Sequence, residues 1–203
     1  MPIYELAGVT PVVHPSAYVH PTAVLIGDVH VGPKCYIGPL ASLRGDFGSS
    51  HLGKGVNIQD CVVIHSFQNL PVVVEDFGHI GHGAILHGCI ICKDALVGMS
   101  ATVMDKAVIG ERSFVGAHSF VKTNDQLPGA SMILGTPAKV VRALSEDEMN
   151  WKHKGTEAYI ALAEESLKSC RETTALTEPE PNRQTISIGQ KVLPKQDTIL
   201  NRD

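Results

Sequence analysis

A period of six dominates this sequence. Aliphatic residues fall at Val13, Val19, Leu25, Val31, Ile37 and Leu43, again at Leu52, Ile58 and Ile64, and at Val74, Ile80 and Leu86. After a five-residue step the register runs through Ile91, Val97, Val103, Ile109, Val115 and Val121, which makes eighteen hexapeptides. Four places after the aliphatic residue a small side chain recurs, as at Ala23, Cys35, Ala41, Ala84, Ala95 and Ala107. Glycine or another turn-tolerant residue often follows it directly, as in Ile37-Gly38, Val97-Gly98 and Ile109-Gly110. A helical period of 3.6 does not fit six, and simple alternation does not explain the small position. A short strand plus a tight turn every six residues describes a solenoid. Each aliphatic side chain points inward and stacks on its counterpart one coil away, so the core is a column.

The pattern resembles the hexapeptide-repeat proteins. That resemblance implies an all-β solenoid, a left-handed parallel β-helix with three hexapeptides per coil, of about six coils over residues 12 to 125. The repeat breaks at Phe47–His51 and again at Ser66–Val73, and both excursions flank histidines. Residues 1–125 are therefore expected to form the solenoid and 126–144 a connector rich in Pro and Gly. Ser145 and Glu148 have the spacing of a capping box and open a predicted helix over 145–170. Its apolar stripe is read as Met149, Tyr159, Ile160, Leu162, Ala163 and Leu167, packed along the solenoid, with room for a break at Gly155. Residues 171–203 read as a polar tail, mobile or draped on a partner, in which TISIGQKVLP is able to pair transiently as a strand.

A formal charge of −4 gives no footprint for nucleic acid or an anionic membrane. No apolar run approaches the roughly 20 residues that span a bilayer, and MPIYELAGVTP lacks the pattern of a signal peptide. The expected compartment is cytoplasmic. Five cysteines, an odd number, argue against a disulfide framework, and Cys89-x-x-Cys92 reads as buried small apolar residues.

The histidines of GHIGHGAILHG (78–88), with His65 upstream, carry the chemistry. With three hexapeptides per coil, Leu43, Ile64 and Leu86 stack on one face at about 4.8 Å per coil. The residues after them, Arg44, His65 and His87, then form a ladder, and the two imidazoles are close enough to share a metal at about 2.1 Å from each nitrogen. His82 follows Ile80 by two places and stacks over Asp60 on another face or corner, out of easy reach of that point. In a three-fold oligomer a neighbour brings its own His82 there, which predicts a homotrimer with one metal per interface. His79 reads as an imidazole at the surface or behind the ligands. Three neutral nitrogens with an open position suit Zn2+, Fe2+ or Co2+ and lower the pKa of bound water to about 7. Arg44 has Asp46 or Asp60 within reach as partners, and Gln59 is a candidate donor to the water or to a substrate oxygen.

Arg44-Gly45-Asp46, Asn57-Ile58-Gln59-Asp60, His65 and Gly81-His82-Gly83-Ala84 with His87-Gly88 together resemble the γ-class carbonic anhydrases. The resemblance implies a metal between subunits, held by His65 and His87 of one and His82 of the next, with Arg44, Asp46, Asn57, Gln59 and Asp60 around it. Tyr159 resembles a helix residue that approaches the pocket in some members, so Gln59 and Tyr159 are the candidate catalytic residues. MPIY, HPTAVLIGDV, ASLRGDFG, GHIGHGAILHGC, ALVGM and WKHKGTEAY resemble the phenylacetic acid degradation branch, with the carnitine operon branch nearly as similar.

Phe47 follows Asp46 where the carbonic anhydrase archetype has a Glu, and Ser66–Val73 holds no carboxylate to export protons. Both departures count against fast CO2 hydration. The branch implies a metal-dependent thioesterase on acyl-CoA thioesters of aromatic catabolism, working by metal-hydroxide attack, with Phe47 and Phe67 lining an acyl pocket. The alternatives are a γ-type carbonic anhydrase acting on CO2 and bicarbonate, a CoA-dependent acyltransferase with a histidine base, and a scaffold with a vestigial site.

Overall fold

The structure, a computed structural model, describes residues 2–193. It is a parallel β-solenoid whose three faces are columns of paired strands, most of them two or three residues long. On one face Leu25 pairs with Leu43, Leu43 with Ile64, Ile64 with Leu86, Leu86 with Val103 and Val103 with Val121. A second column starts at Val13, passes through Val31, Leu52, Val74, Ile91 and Ile109, and ends at Leu127. The third runs from Val19 through Ile37, Ile58, Ile80, Val97 and Val115 to Ile133. Almost every one of these inward residues is buried, while Val13 and Leu127, at the two ends of the second column, are partly so; Ala23, Cys35, Ala41, Ala84 and Ala95 are also buried, where larger side chains would overfill the narrow coil.

Leu127 and Ile133 extend the columns beyond residue 125, so the coils number seven, not six. The predicted connector is the last coil, followed by an antiparallel pair, Ser131–Gly135 with Ala138–Ala143, that closes this end of the column. The excursion at Phe47–His51 is also not a loop. Ser42–Leu52 is one strand that rounds a corner, with a register shift opposite Gly27–Val29, and serves two faces. Ser66–Pro71 does leave the coil, turning at Phe67–Leu70.

The glycines after the aliphatic residues are not there for the turn. The left-handed turn residue comes two places later and is glycine only at Gly55 and Gly83 among these corners: Leu40, Ser100, Lys106, Arg112 and His118 have φ of 56–59°. Gly98 instead lies against the next coil, where a Cβ would stand 2.6 Å from the Ala117 nitrogen.

Helix α1 (Glu146–Ser169) starts with the predicted capping box: the Ser145 hydroxyl accepts from the Glu148 N–H, and the Glu148 carboxylate accepts from the Ser145 N–H. At about 36 Å it is somewhat longer than the solenoid's column of about 29 Å, and it runs back down the third face from Phe114 and Leu144 to Tyr18. It passes Gly155 without a break. The stripe it buries is more polar than the one read from sequence. Met149, Lys152, Thr156 and Ala163 are buried, while Leu167 is 49% exposed. Lys152 donates to the Phe77 carbonyl and the Asp94 carboxylate, both at 2.7 Å. Burial pushes its pKa down to about 8 although Asp94 acts in the opposite direction.

Residues 171–193 form neither helix nor strand. They come back along α1, where a Cβ at Gly189 would stand 2.9 Å from that of Ala161 and the Trp151 indole donates to the Leu193 carbonyl at 2.9 Å. The strand expected in TISIGQKVLP is not formed through Leu193, and residues 194–203 of the predicted tail lie outside the described residues. No helix among the described residues is long and apolar enough to cross a membrane. All five cysteines are free; burial pushes the Cys35 and Cys89 thiols up to about 12, in keeping with a packing role for these two, whereas Cys92, read from sequence as buried, is only half-buried.

Candidate metal centre

His65 and His87 are paired residues on adjacent coils, with ring centroids 5.3 Å apart. Each is held by a carboxylate. Asp46 takes His65 Nε2 at 2.9 Å and, through its other oxygen, Arg44 at 2.7 Å. Of the two partners open to Arg44, Asp46 is therefore the one it uses within the chain. Burial acts to raise the Asp46 carboxyl, but Arg44 and His65 together carry it below the usual range. Asp105, which the sequence reading missed, takes His87 Nδ1 at 2.7 Å. The signal was there: Asp105 lies two places past Val103, on the coil that stacks over Leu86.

His82 stands at a different edge, where Nδ1 meets Asp60 at 2.5 Å. The geometry thus separates it from His65 and His87 within one chain, and among the described residues no three His, Cys, Asp or Glu side chains of the chain converge as a metal site. Behind His82 lies a polar cluster. Gln59, almost fully buried, donates one Nε2 hydrogen to Asn57 Oδ1 at 3.0 Å and the other to His79 Nε2 at 2.8 Å. Asn57 is buried and its Nδ2 has no hydrogen-bond partner among the described residues. His79 is half-buried, with Gln59 between it and Asn57. It lies under α1 beside Thr156 Oγ1 (3.2 Å) and Tyr159, and burial, with Lys152 and His82 near, pushes it down to about 3. Tyr159 packs on His79 and Tyr36, and burial pushes its hydroxyl up to about 12, which keeps it a neutral phenol.

Two hollows adjoin these groups. Phe47, tilted against His65 at 5.7 Å, and Phe67, edge-on to His87 at 5.1 Å, are both exposed and border a cavity of about 390 Å³. A second cavity of similar size lies between α1 and the third face, with Gln59, His79 and His82 at one end and Phe114, Met132 and Trp151 at the other.

The donor set fits a metal ion of the predicted kind. His65, His82 and His87 each give one ring nitrogen to a carboxylate, which leaves the other nitrogen as the lone pair for a ligand bond. Carboxylates behind ligating imidazoles fix both tautomer and ring orientation.

No family model matches the chain. The carnitine operon protein CaiE of Proteus sp. strain LE138 is 51% identical over 195 residues, covering 96% of this chain and 99% of the relative. CaiE of Escherichia coli K12 is 50% identical over 196 residues, 97% of this chain and all of the relative. Among solved structures, a candidate acetyltransferase of Bacillus cereus is 34% identical with a TM-score of 0.80, covering 82% of this chain and 98% of the other. A hexapeptide transferase family protein of Anaplasma phagocytophilum is 37% identical with a TM-score of 0.77, covering 80% and 96%. Of the two resemblances read from the sequence, it is the carnitine operon branch that these comparisons show. The chain belongs to the CaiE family of hexapeptide-repeat, left-handed β-helix proteins.

Proposed function

We propose that the chain is a metal-dependent hydrolase of acyl-CoA thioesters whose centre lies between subunits of a homotrimer. The observation that carries this reading is the three histidines, each braced by its own carboxylate with one nitrogen left free, on two separate edges of the coil. Asp46, Asp60 and Asp105 hold the ring protons away from the open nitrogens. Arg44 keeps Asp46 ionised and in place. A divalent ion bound there supplies an electrophile for the thioester carbonyl and acidifies water. Phe47 and Phe67 beside His65 and His87, and the groove beside His82 of the partner subunit, offer apolar walls for the acyl group. An aromatic acyl group such as phenylacetyl suits both.

A second reading, transfer of the acyl group to an amine or hydroxyl, is favoured by the names of the two similar solved structures, an acetyltransferase and a transferase-family protein. Both readings break the same thioester bond and differ in the acceptor. The test is thiol release from phenylacetyl-CoA and other acyl-CoA thioesters by protein of measured metal content, with and without amine acceptors, beside a CO2 hydration assay. Release that needs the metal and no acceptor supports the hydrolase. Release only with an acceptor supports the transferase, and hydration alone overturns both.

A further inference from the structure

A chain of hydrogen bonds runs from α1 into the candidate centre, and its direction can be read off atom by atom. Thr156 Oγ1 lies 3.5 Å from the Lys152 carbonyl one turn earlier, a bond in which only the hydroxyl can donate. With its hydrogen so placed, the same oxygen is the acceptor toward His79 Nδ1 at 3.2 Å, which assigns the imidazole proton to Nδ1. His79 Nε2 is left as a lone pair and accepts from Gln59 Nε2 at 2.8 Å. The second Gln59 hydrogen goes to Asn57. Both N–H groups of the amide are thereby spent, and what Gln59 has left to offer the groove that it lines with His82 is its carbonyl oxygen. This reverses the donor role expected for Gln59 from sequence. With the opposite tautomer, His79 would donate to the amide oxygen and the NH2 group would face the groove instead.

We infer that His79 is a positioning residue: held by Thr156 as the Nδ1–H tautomer, it turns the Gln59 carbonyl oxygen toward the centre, where it accepts the O–H or N–H of the attacking nucleophile. The inference deepens the proposed acyl-transfer chemistry and rests on that site being the reacting one. It applies whether the nucleophile is water or another acceptor, because both must be oriented by a hydrogen they carry. The helix is thus part of the centre's construction, although none of its side chains is a candidate ligand.

The test combines the resting protein with two helix variants. Nitrogen-edited NMR of imidazole-labelled protein, with His79 assigned by difference from a His79→Gln variant, should report a protonated Nδ1 and an unprotonated Nε2. Thr156→Val, which removes the hydroxyl and keeps the shape, should lower kcat about 10- to 100-fold with KM little changed, at unaltered metal content. Thr156→Ser should restore the kcat. A proton on Nε2 in the wild type, or a Thr156→Val enzyme with wild-type kcat, overturns the inference. If Thr156→Val fails to fold, the wild-type tautomer and the kcat of Thr156→Ser still decide it. If the wild type releases no thiol and acylates no acceptor, the proposed function falls by that assay, whereas a proton on Nε2 overturns the role of His79 whatever the assay gives.

Discussion

At the scale of single residues, the proposed centre would depend on the groups behind its ligands as much as on the ligands themselves. Asp105 is 8% exposed and has His87 Nδ1 as its hydrogen-bond partner. Asp105→Asn keeps the shape but can no longer hold that ring proton as a carboxylate does. It should weaken metal affinity about 10- to 100-fold, measured by zinc titration against a chelator, while His87→Ala should abolish stoichiometric binding. Unchanged affinity in Asp105→Asn would mean that the carboxylate only packs. The ladder of His65 and His87 was legible in the sequence because an integer period puts residues of neighbouring coils in register. Asp105 needed one more step along the same ladder. The covering of His79 by α1 was not legible: it comes from Thr156 and Tyr159, some 77 to 80 positions away, on a helix whose docking face cannot be derived from the repeat.

At the scale of elements, two glycines that look alike in sequence have opposite roles. Gly98 has the backbone of the next coil within 2.6 Å of where its Cβ would be, whereas nothing lies within 4 Å of a Cβ at Gly155. Gly98→Ala should therefore cost about 1–3 kcal/mol through overpacking, and Gly155→Ala should stabilise α1 by up to about 1 kcal/mol, both read from denaturant midpoints. The helix stripe differs from its sequence reading for a related reason. Lys152 and Thr156 are polar, which points them to solvent by type, yet they lie in the seam and Leu167 lies outside it. Lys152→Met leaves the Asp94 charge without its ammonium and should cost about 3 kcal/mol, most of it recovered when Asp94→Asn is added. Folding lowers the Lys152 pKa from 10.5 to about 8, so between these values the unfolded chain binds more protons and stability from this group rises with pH. The stability gap between wild type and Lys152→Met should accordingly widen from pH 8 to 10; a gap that narrows would place the charged form as the one that the seam prefers.

At the scale of the whole molecule, the solenoid holds His82 on one edge and His65 with His87 on another, and a rigid column cannot bend to bring them together. Rotation about a three-fold axis can, because closed symmetry presents the second edge of each subunit to the first edge of its neighbour. The proposed assembly makes a combinatorial prediction. Homotrimers of His82→Ala and of His87→Ala should each bind no metal at the centre, since every interface lacks one ligand. Unfolded together in equal amounts and refolded, they form mixed trimers in which an interface is whole wherever a His82→Ala subunit supplies His65 and His87 to a neighbour that kept His82. Random assembly makes that true of about one interface in four, so about a quarter of the wild-type metal content and thiol release should return. Sites built within one chain would return nothing on mixing. The recovered metal content therefore tests the proposed shared centre directly, and it does so without depending on any choice of substrate.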